Sequence, residues 1–378
     1  MAYLLKEIKD FYCFFKLSKL KKQIVFYAEY GGQYSYFEGI IKELTGKHNQ
    51  NICYITSDIS DPVFNLQNER ITSFYINNLL AFFMPLVDCK VMIMTLTDLD
   101  NYYIKRSKNP VHYVYVFHSM VSTHMVYRSG SFDSYDSVLC VGPYQIREIR
   151  KHEKLNKLPP KKLIEAGYYR LERMHFAYQE YLKNLKENKK PKKPVILIAP
   201  SWGDDNILES CGEKLIAALL DSDYKVIVRP HMETIKRYPN LIKTLEVKFS
   251  SNLDFTMKKE FSSDDLVFEV DVLVSDYSGA ALSYAFGTER PVLFIDVPPK
   301  INNKKFKELD IEPLELSLRS QIGTVLSTSK IDSVPDNVNM LMLEAENYRK
   351  KIIKIREQNI YSFGKSSEIG AGHIMSLL

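Results

Sequence analysis

Apolar residues fall into two patterns along the chain: short near-continuous runs, and longer stretches in which they recur every three or four positions. The runs "QIVFYA" (23–28), "NICYIT" (51–56), "CKVMIMT" (89–95), "VHYVYVF" (111–117) and "YDSVLCV" (135–141) predict β-strands. They carry apolar side chains on both faces, so they predict a parallel sheet covered by helices on each side. A second series, "PVILIAP" (194–200), "YKVIVRP" (224–230), "VDVLVS" (270–275) and "RPVLFI" (290–295), predicts another such unit. Between the two series, "KNLKENKKPKKP" (183–194) holds six lysines and two prolines without apolar periodicity, which is the composition of a linker.

The fold class that follows is α/β: two doubly wound Rossmann-like domains facing a central crevice, with the ligand at the carboxyl ends of the strands. A chain of 378 residues also exceeds what one core usually organises. The expected layout is an amphipathic basic helix over 1–22, a first domain over 23–185, a linker over 186–194 and a second domain over 195–340. Helices over 341–378 have the length to cross back onto the first domain. In the opening segment, Leu4, Ile8, Phe11 and Phe15 recur at helical spacing, with Lys6, Lys9, Lys16, Lys19, Lys21 and Lys22 around them. Such a helix has two uses, to lie in an anionic membrane interface or to cap the neighbouring domain, and the pattern leaves both open.

Composition narrows the class. A 45% hydrophobic and 26% charged chain with 25 Tyr and 20 Phe is that of a folded globular protein. The net charge of +5 is too small an excess to indicate nucleic-acid binding, yet it suits an anionic substrate or membrane surface. Five cysteines, at 13, 53, 89, 140 and 211, form no C-x-x-C and read as reduced core thiols. The first 22 residues lack the uninterrupted apolar stretch of a signal peptide or membrane span, so a cytoplasmic location is expected.

Chemistry concentrates at strand ends. "VDVLVSDYSGAALSYAFG" reads as a strand ending at Ser275, a polar turn, and a helix of small residues beginning near Ala280. A helix N-terminus of this kind binds phosphate through free N–H groups and the helix dipole, and the Ser275 and Ser278 hydroxyls would add donors. Asp276 would repel phosphate, so it reads as a cap or as the group that orients another residue; plain helix capping by Ser and Asp is the bland alternative. In "KVIVRPHM", Arg229 and His231 flank Pro230, whose extended backbone lets both side chains project into one crevice. Arg229 offers a permanent fork of donors for phosphate oxygens, and His231 offers a hydrogen bond to an oxygen gaining charge. His118 ends a first-domain strand, where a neutral imidazole can accept a proton from a substrate hydroxyl. His124, in "STHMVY", and Ser119 are further acceptor-side candidates. Each strand-end histidine taken alone reads equally well as a structural residue.

The chain has no G-x-G-x-x-G, G-x-x-x-x-G-K-[ST], H-E-x-x-H or G-x-S-x-G. No cofactor is implied. The paired carboxylates of "DLD" (98–100) read as a solvated loop, so a divalent cation has no evident cage and no metal ligand is assigned.

Seven segments in order resemble the CDP-glycerol glycerophosphotransferase family, the teichoic-acid and capsule polymerases with a GT-B fold. They are "VFHS" (116–119), "GYYRLE" (167–172), "IAPSW" (198–202), "RPH" (229–231), "VDVLVSDYSG" (270–279), "RPVLF" (290–294) and "GKSSE" (364–368). The resemblance implies that His118 is the base, and that His231, with Ser275, Asp276, Tyr277, Ser278 and Gly279, forms the nucleotide-phosphate site, with Ser201 as a further donor-binding residue. It also implies a CDP-activated donor and a glycan or polyol-phosphate acceptor, lipid-linked or free, with no nucleic acid involved. The chain departs from the family at three positions: Ser119 stands where the family has Gly, Met232 where it has Pro, and Gly279 where it has a second Ser. These leave the alditol open. A GT-B glycosyltransferase using a nucleotide sugar is the alternative enzyme, and a non-catalytic polymer-binding protein is the alternative of another class.

Overall fold

The computed structural model describes residues 2–185, 193–259 and 264–378, and most of the expected linker lies outside them. The first sheet is built from β1 (Ile24–Ala28), β2 (Ile52–Thr56), β3 (Ile71–Tyr75), β4 (Val91–Met94), β5 (His112–Val116), β6 (Ser137–Cys140) and β7 (Lys162–Glu165). Its strands run parallel in the order β3-β2-β1-β4-β5-β6-β7. The second sheet is likewise parallel, with β8 (Val195–Ile198), β9 (Lys225–Val228), β10 (Phe255–Met257), β11 (Val272–Ser275), β12 (Val292–Asp296) and β13 (Gly323–Ser327). Its order is β10-β9-β8-β11-β12-β13. Two doubly wound halves facing each other make this a GT-B fold.

The apolar runs became the central strands because both their faces are covered. Successive side chains of β1 point to opposite faces, so Val25 and Tyr27 join one core while Ile24, Phe26 and Ala28 join another. In β8, Val195 and Leu197 belong to the same core as Val25, whereas Ile196 and Ile198 pack inside the second half. One apolar cluster is therefore continuous from the first half into the second. The strands that the apolar runs do not predict, β3, β7, β10 and β13, are all at or beside sheet edges. There a strand keeps polar residues toward water and loses its apolar signature.

The N-terminal helix is shorter than expected, Ala2–Lys16, and Lys19–Lys22 form a 3-10 turn instead. The expected stripe also splits. Phe14 is fully buried, and Phe11, Phe14 and Phe15 pack against Phe83 with ring centroids 4.8–5.8 Å apart. Glu7 accepts the N–H groups of Asn77 and Leu79, and Asp10 accepts that of Tyr75, so the helix is docked along β3. Leu4 and Ile8, by contrast, lie on the exposed face with Tyr3, Leu5 and Tyr12.

The end of the chain runs back to the first half. After the helix Ala345–Asn359, Tyr361 N–H donates to Val141 O at 2.8 Å and Ser362 Oγ to Glu165 O at 2.8 Å. The helix Ser366–Met375 then packs on the helix Tyr34–Lys42. All five cysteines are free thiols; Cys53, Cys140 and Cys211 are buried.

Candidate active site in the interdomain crevice

Both sheets reverse their strand order beside their first strand, between β1 and β4 and between β8 and β11. Ligand crevices of doubly wound sheets open at those switch points, outside the carboxyl ends of the strands. Here the two openings face one another and enclose about 1310 Å³. His118, Ser119, Ser201, Arg229, His231, Tyr277, Ser278 and Gly279 all line this crevice.

His118 follows β5, and its Nδ1 lies 2.9 Å from Oγ1 of Thr95, which follows the neighbouring strand β4. A neutral ring that donates its Nδ1–H to Thr95 keeps the Nε2 lone pair for a substrate proton. The rings of Tyr36 and Tyr127 flank it at centroid distances of 6.1 and 5.8 Å, and Tyr168 OH holds the His118 carbonyl at 2.8 Å. Burial lowers the His118 pKa to about 4, which keeps the imidazole neutral at physiological pH.

On the opposite wall, His231 caps the helix Met232–Arg237: its Nδ1 accepts the Glu233 N–H at 3.1 Å. The ring proton therefore sits on Nε2, making His231 a neutral donor. Burial, reinforced by the Lys300 charge, lowers its pKa to about 4. Arg229 shares the crevice, so the pair that flanks Pro230 does converge.

The turn after β11 differs in detail from the sequence reading. Ser275 is fully buried and its hydroxyl donates to Ala199 O at 2.7 Å, so it is spent on the β8 loop and not offered to phosphate. Asp276, also fully buried, accepts the Ser201 N–H at 3.0 Å and the Ser201 hydroxyl at 2.9 Å. It orients the β8 loop, and in doing so takes the hydrogen that Ser201 would have given a ligand. Burial raises the Asp276 pKa against those hydrogen bonds. Ser278 caps the helix Gly279–Thr288 by accepting the Ala280 N–H at 3.2 Å. Tyr277 gives its hydroxyl to Asp296 at 2.8 Å, and the Arg319 guanidinium sits 4.0 Å over its ring. Tyr277 is thus held in place where it lines the crevice.

His124 lies away from the crevice. Its Nε2 meets Ile311 O at 3.0 Å and its Nδ1 faces Glu148 at 3.4 Å, in a seam between the halves. Burial pulls its pKa down but Glu148 outweighs this and raises it. Six residues of loop beyond His118 turn this acceptor-side candidate into the seam. Asp98 of the "DLD" loop accepts a hydrogen bond from Ser131 at 3.0 Å, and among the described residues no group of three or more His, Cys, Asp or Glu could hold a metal ion.

Several residues in or behind the crevice wall carried no assignment from the sequence. Thr95 is a strand end brought beside His118 by the pairing of β4 with β5, where Met94 stands opposite Tyr115. Trp202 is stacked under the Lys300 ammonium, 3.0 Å from its ring centroid, with Arg237 at 4.6 Å and the His231 ring at 6.1 Å. Being the single Trp in the chain, within "IAPSW", was a signal for it; Lys300 gave none. On the first wall, Arg170 Nη1 donates to Tyr36 OH at 3.0 Å.

Two histidines held neutral by burial, His118 and His231, thus line one GT-B crevice beside a capped helix N-terminus. Residues 11–298 match the family described as CDP-glycerol:poly(glycerophosphate) glycerophosphotransferase. The chain belongs to that family and is an enzyme of the glycerophosphotransferase type. Among solved structures it resembles the wall teichoic acid polymerase TagF, with a TM-score of 0.63 and 16% identity over 99% of this chain and 94% of that one. It also resembles a glycosyltransferase from Rickettsia africae (TM-score 0.53, 11% identity, 94% of this chain and 98% of that one). The UDP-GlcNAc 2-epimerase of Neisseria meningitidis, solved with UDP-GlcNAc bound, superposes with a TM-score of 0.53 at 15% identity, covering 93% and 99%. These likenesses show the shared GT-B fold. No curated protein matches the chain by sequence.

Proposed function

We propose that the chain transfers glycerol phosphate from CDP-glycerol to a hydroxyl of a polyol-phosphate acceptor, and that the crevice between its halves is where this occurs. The observation that carries the reading is the placement of His118 and His231 on opposite walls of one crevice, each neutral and each with its Nδ1 occupied. The acceptor hydroxyl attacks the β-phosphorus, forming a new O–P bond as the bond to CMP breaks. His118 Nε2 takes the hydroxyl proton. The His231 Nε2–H and the Arg229 guanidinium steady the oxygens that gain charge, and CMP leaves as an anion. Positioning and charge stabilisation supply most of the rate.

The acceptor is read as lipid-linked and the enzyme as peripheral on the cytoplasmic face of a membrane. No helix among the described residues is long and apolar enough to cross one. The support is the exposed face of the N-terminal helix, where Tyr3, Leu5 and Tyr12 are each more than half exposed among lysines. Such a face suits an anionic interface.

Incubation with CDP-glycerol and a glycerol phosphate oligomer tests the reading. CMP release with growth of the oligomer is expected. Release of UDP from a UDP-sugar, with CDP-glycerol untouched, would assign the crevice to glycosyl transfer instead.

A further inference from the structure

Ser119 and Gly279 share one space. A side-chain carbon on Gly279 would overlap the Ser119 hydroxyl and come within 3.6 Å of Ser119 Cβ and 3.2 Å of Val121 Cγ1. Ser119 belongs to the first half, next to His118, and Gly279 opens the helix Gly279–Thr288 of the second half. The two walls of the crevice therefore touch here, and only one of the two positions has room for a side chain.

The neighbouring donors are already used. Ser278 Oγ accepts the Ala280 N–H, Ser278 O accepts the Ala281 N–H, and Asp276 draws on the Ser278 N–H. Among the described residues, the Ser119 hydroxyl and the Gly279 N–H have no protein partner, and both residues line the crevice. They stand side by side at the positive end of a ten-residue helix that has no acidic residue in its first turn.

We infer that Ser119 is a donor-binding residue and not an acceptor-side one: its hydroxyl, beside the Gly279 N–H, binds a phosphoryl oxygen of the activated donor. This rests on the reading of the crevice as a diphosphate-donor site. The hydroxyl that a serine at 279 would supply from the second half comes instead from the first. One consequence is mechanical. The donor is held by both halves at once, through a residue adjacent in sequence to the base, so its binding fixes the phosphorus relative to His118.

The test uses the full chain with Ser119→Gly, Gly279→Ser and the double variant. Binding of CDP-glycerol and of inorganic pyrophosphate is measured calorimetrically, together with thermal midpoints and CMP release. Losing a hydroxyl that binds a charged oxygen should weaken both probes about ten- to a hundredfold in Ser119→Gly. Gly279→Ser alone should lower the thermal midpoint and turnover, because two side chains then compete for one space. The double variant should regain the midpoint and most of the affinity. Wild-type affinity for both probes in Ser119→Gly, or a double variant no better than the worse single, overturns the inference, as does wild-type protein that binds neither probe. A protein that binds pyrophosphate in a Ser119-dependent way but never releases CMP keeps the role of Ser119 and loses the donor assignment.

Discussion

Ser122 gives both its backbone N–H and its hydroxyl to the buried carboxylate of Glu315, at 2.9 and 2.6 Å. The loop that carries His118 is thereby tied, four residues on, to the other half of the molecule. Thr123 makes the matching pair of bonds to Glu148 within the first half, each at 2.6 Å. Glu315→Ala leaves two donors without a partner and is expected to cost about 2–4 kcal/mol in urea unfolding. Burial raises the Glu315 pKa, so its contribution to stability is complete below the normal glutamate range and is lost as pH rises through the raised value. Glu315→Gln, which does not titrate, should therefore gain on the wild type as pH rises above the normal glutamate range. A pH-independent difference would show that the carboxylate does not titrate there.

His118→Ala should reduce turnover by about a hundred- to ten-thousandfold while leaving CDP-glycerol affinity unchanged. With its pKa lowered to about 4 by burial, His118 stays deprotonated well below the usual histidine range. The acid limb of kcat/KM is accordingly expected near 4. A limb near 6.5, or near-normal turnover in the variant, assigns the base elsewhere.

His231→Ala should weaken donor binding and turnover together, since in the proposed reaction its Nε2–H meets the phosphates before and during transfer. Calorimetry and steady-state kinetics on the same preparation check this. A turnover loss with unaltered affinity would restrict His231 to the transition state.

Trp202 makes the crevice directly observable. Burial, with the nearby Arg237 charge, lowers the Lys300 pKa to about 8, and its ammonium lies 3.0 Å from the Trp202 ring centroid. Intrinsic fluorescence should change with a midpoint near pH 8, and bound CDP should move that midpoint upward by favouring the charged amine. Lys300→Met should abolish the titration. A change that persists in this variant would place its source outside the pair.

At the N-terminal helix, Leu5→Glu combined with Ile8→Glu should weaken binding to anionic vesicles without altering turnover on a soluble acceptor. Both side chains are on the exposed face, at 64% and 51%. Deleting residues 2–16 is a different perturbation: it uncovers Phe83 and removes Phe14 from the core, so loss of stability is expected. Unchanged vesicle binding in the double variant would leave the helix with its capping role alone.

Local pattern determined much of this protein. The central strands are legible because burial on both faces demands unbroken apolar runs, and the crevice is legible because parallel strands place their carboxyl ends on one side. "RPH" and "SDYSG" follow such strands, so Arg229, His231, Ser278 and Gly279 were found at the crevice. What the sequence does not contain is the pairing between distant segments. Thr95 reaches His118 only through the β4–β5 register, and Asp276 reaches Ser201 only because β8 and β11 are neighbours. Ser275 turns inward because β11 is covered on both faces. His124 is taken into the seam by Glu148 and Ile311, from two separate segments. The contact of Ser119 with Gly279 depends on how the two halves close. Periodicity reports the environment of a residue along its own element, whereas register and docking join residues far apart in the chain, and those were decided only when the strands paired and the two halves packed against each other.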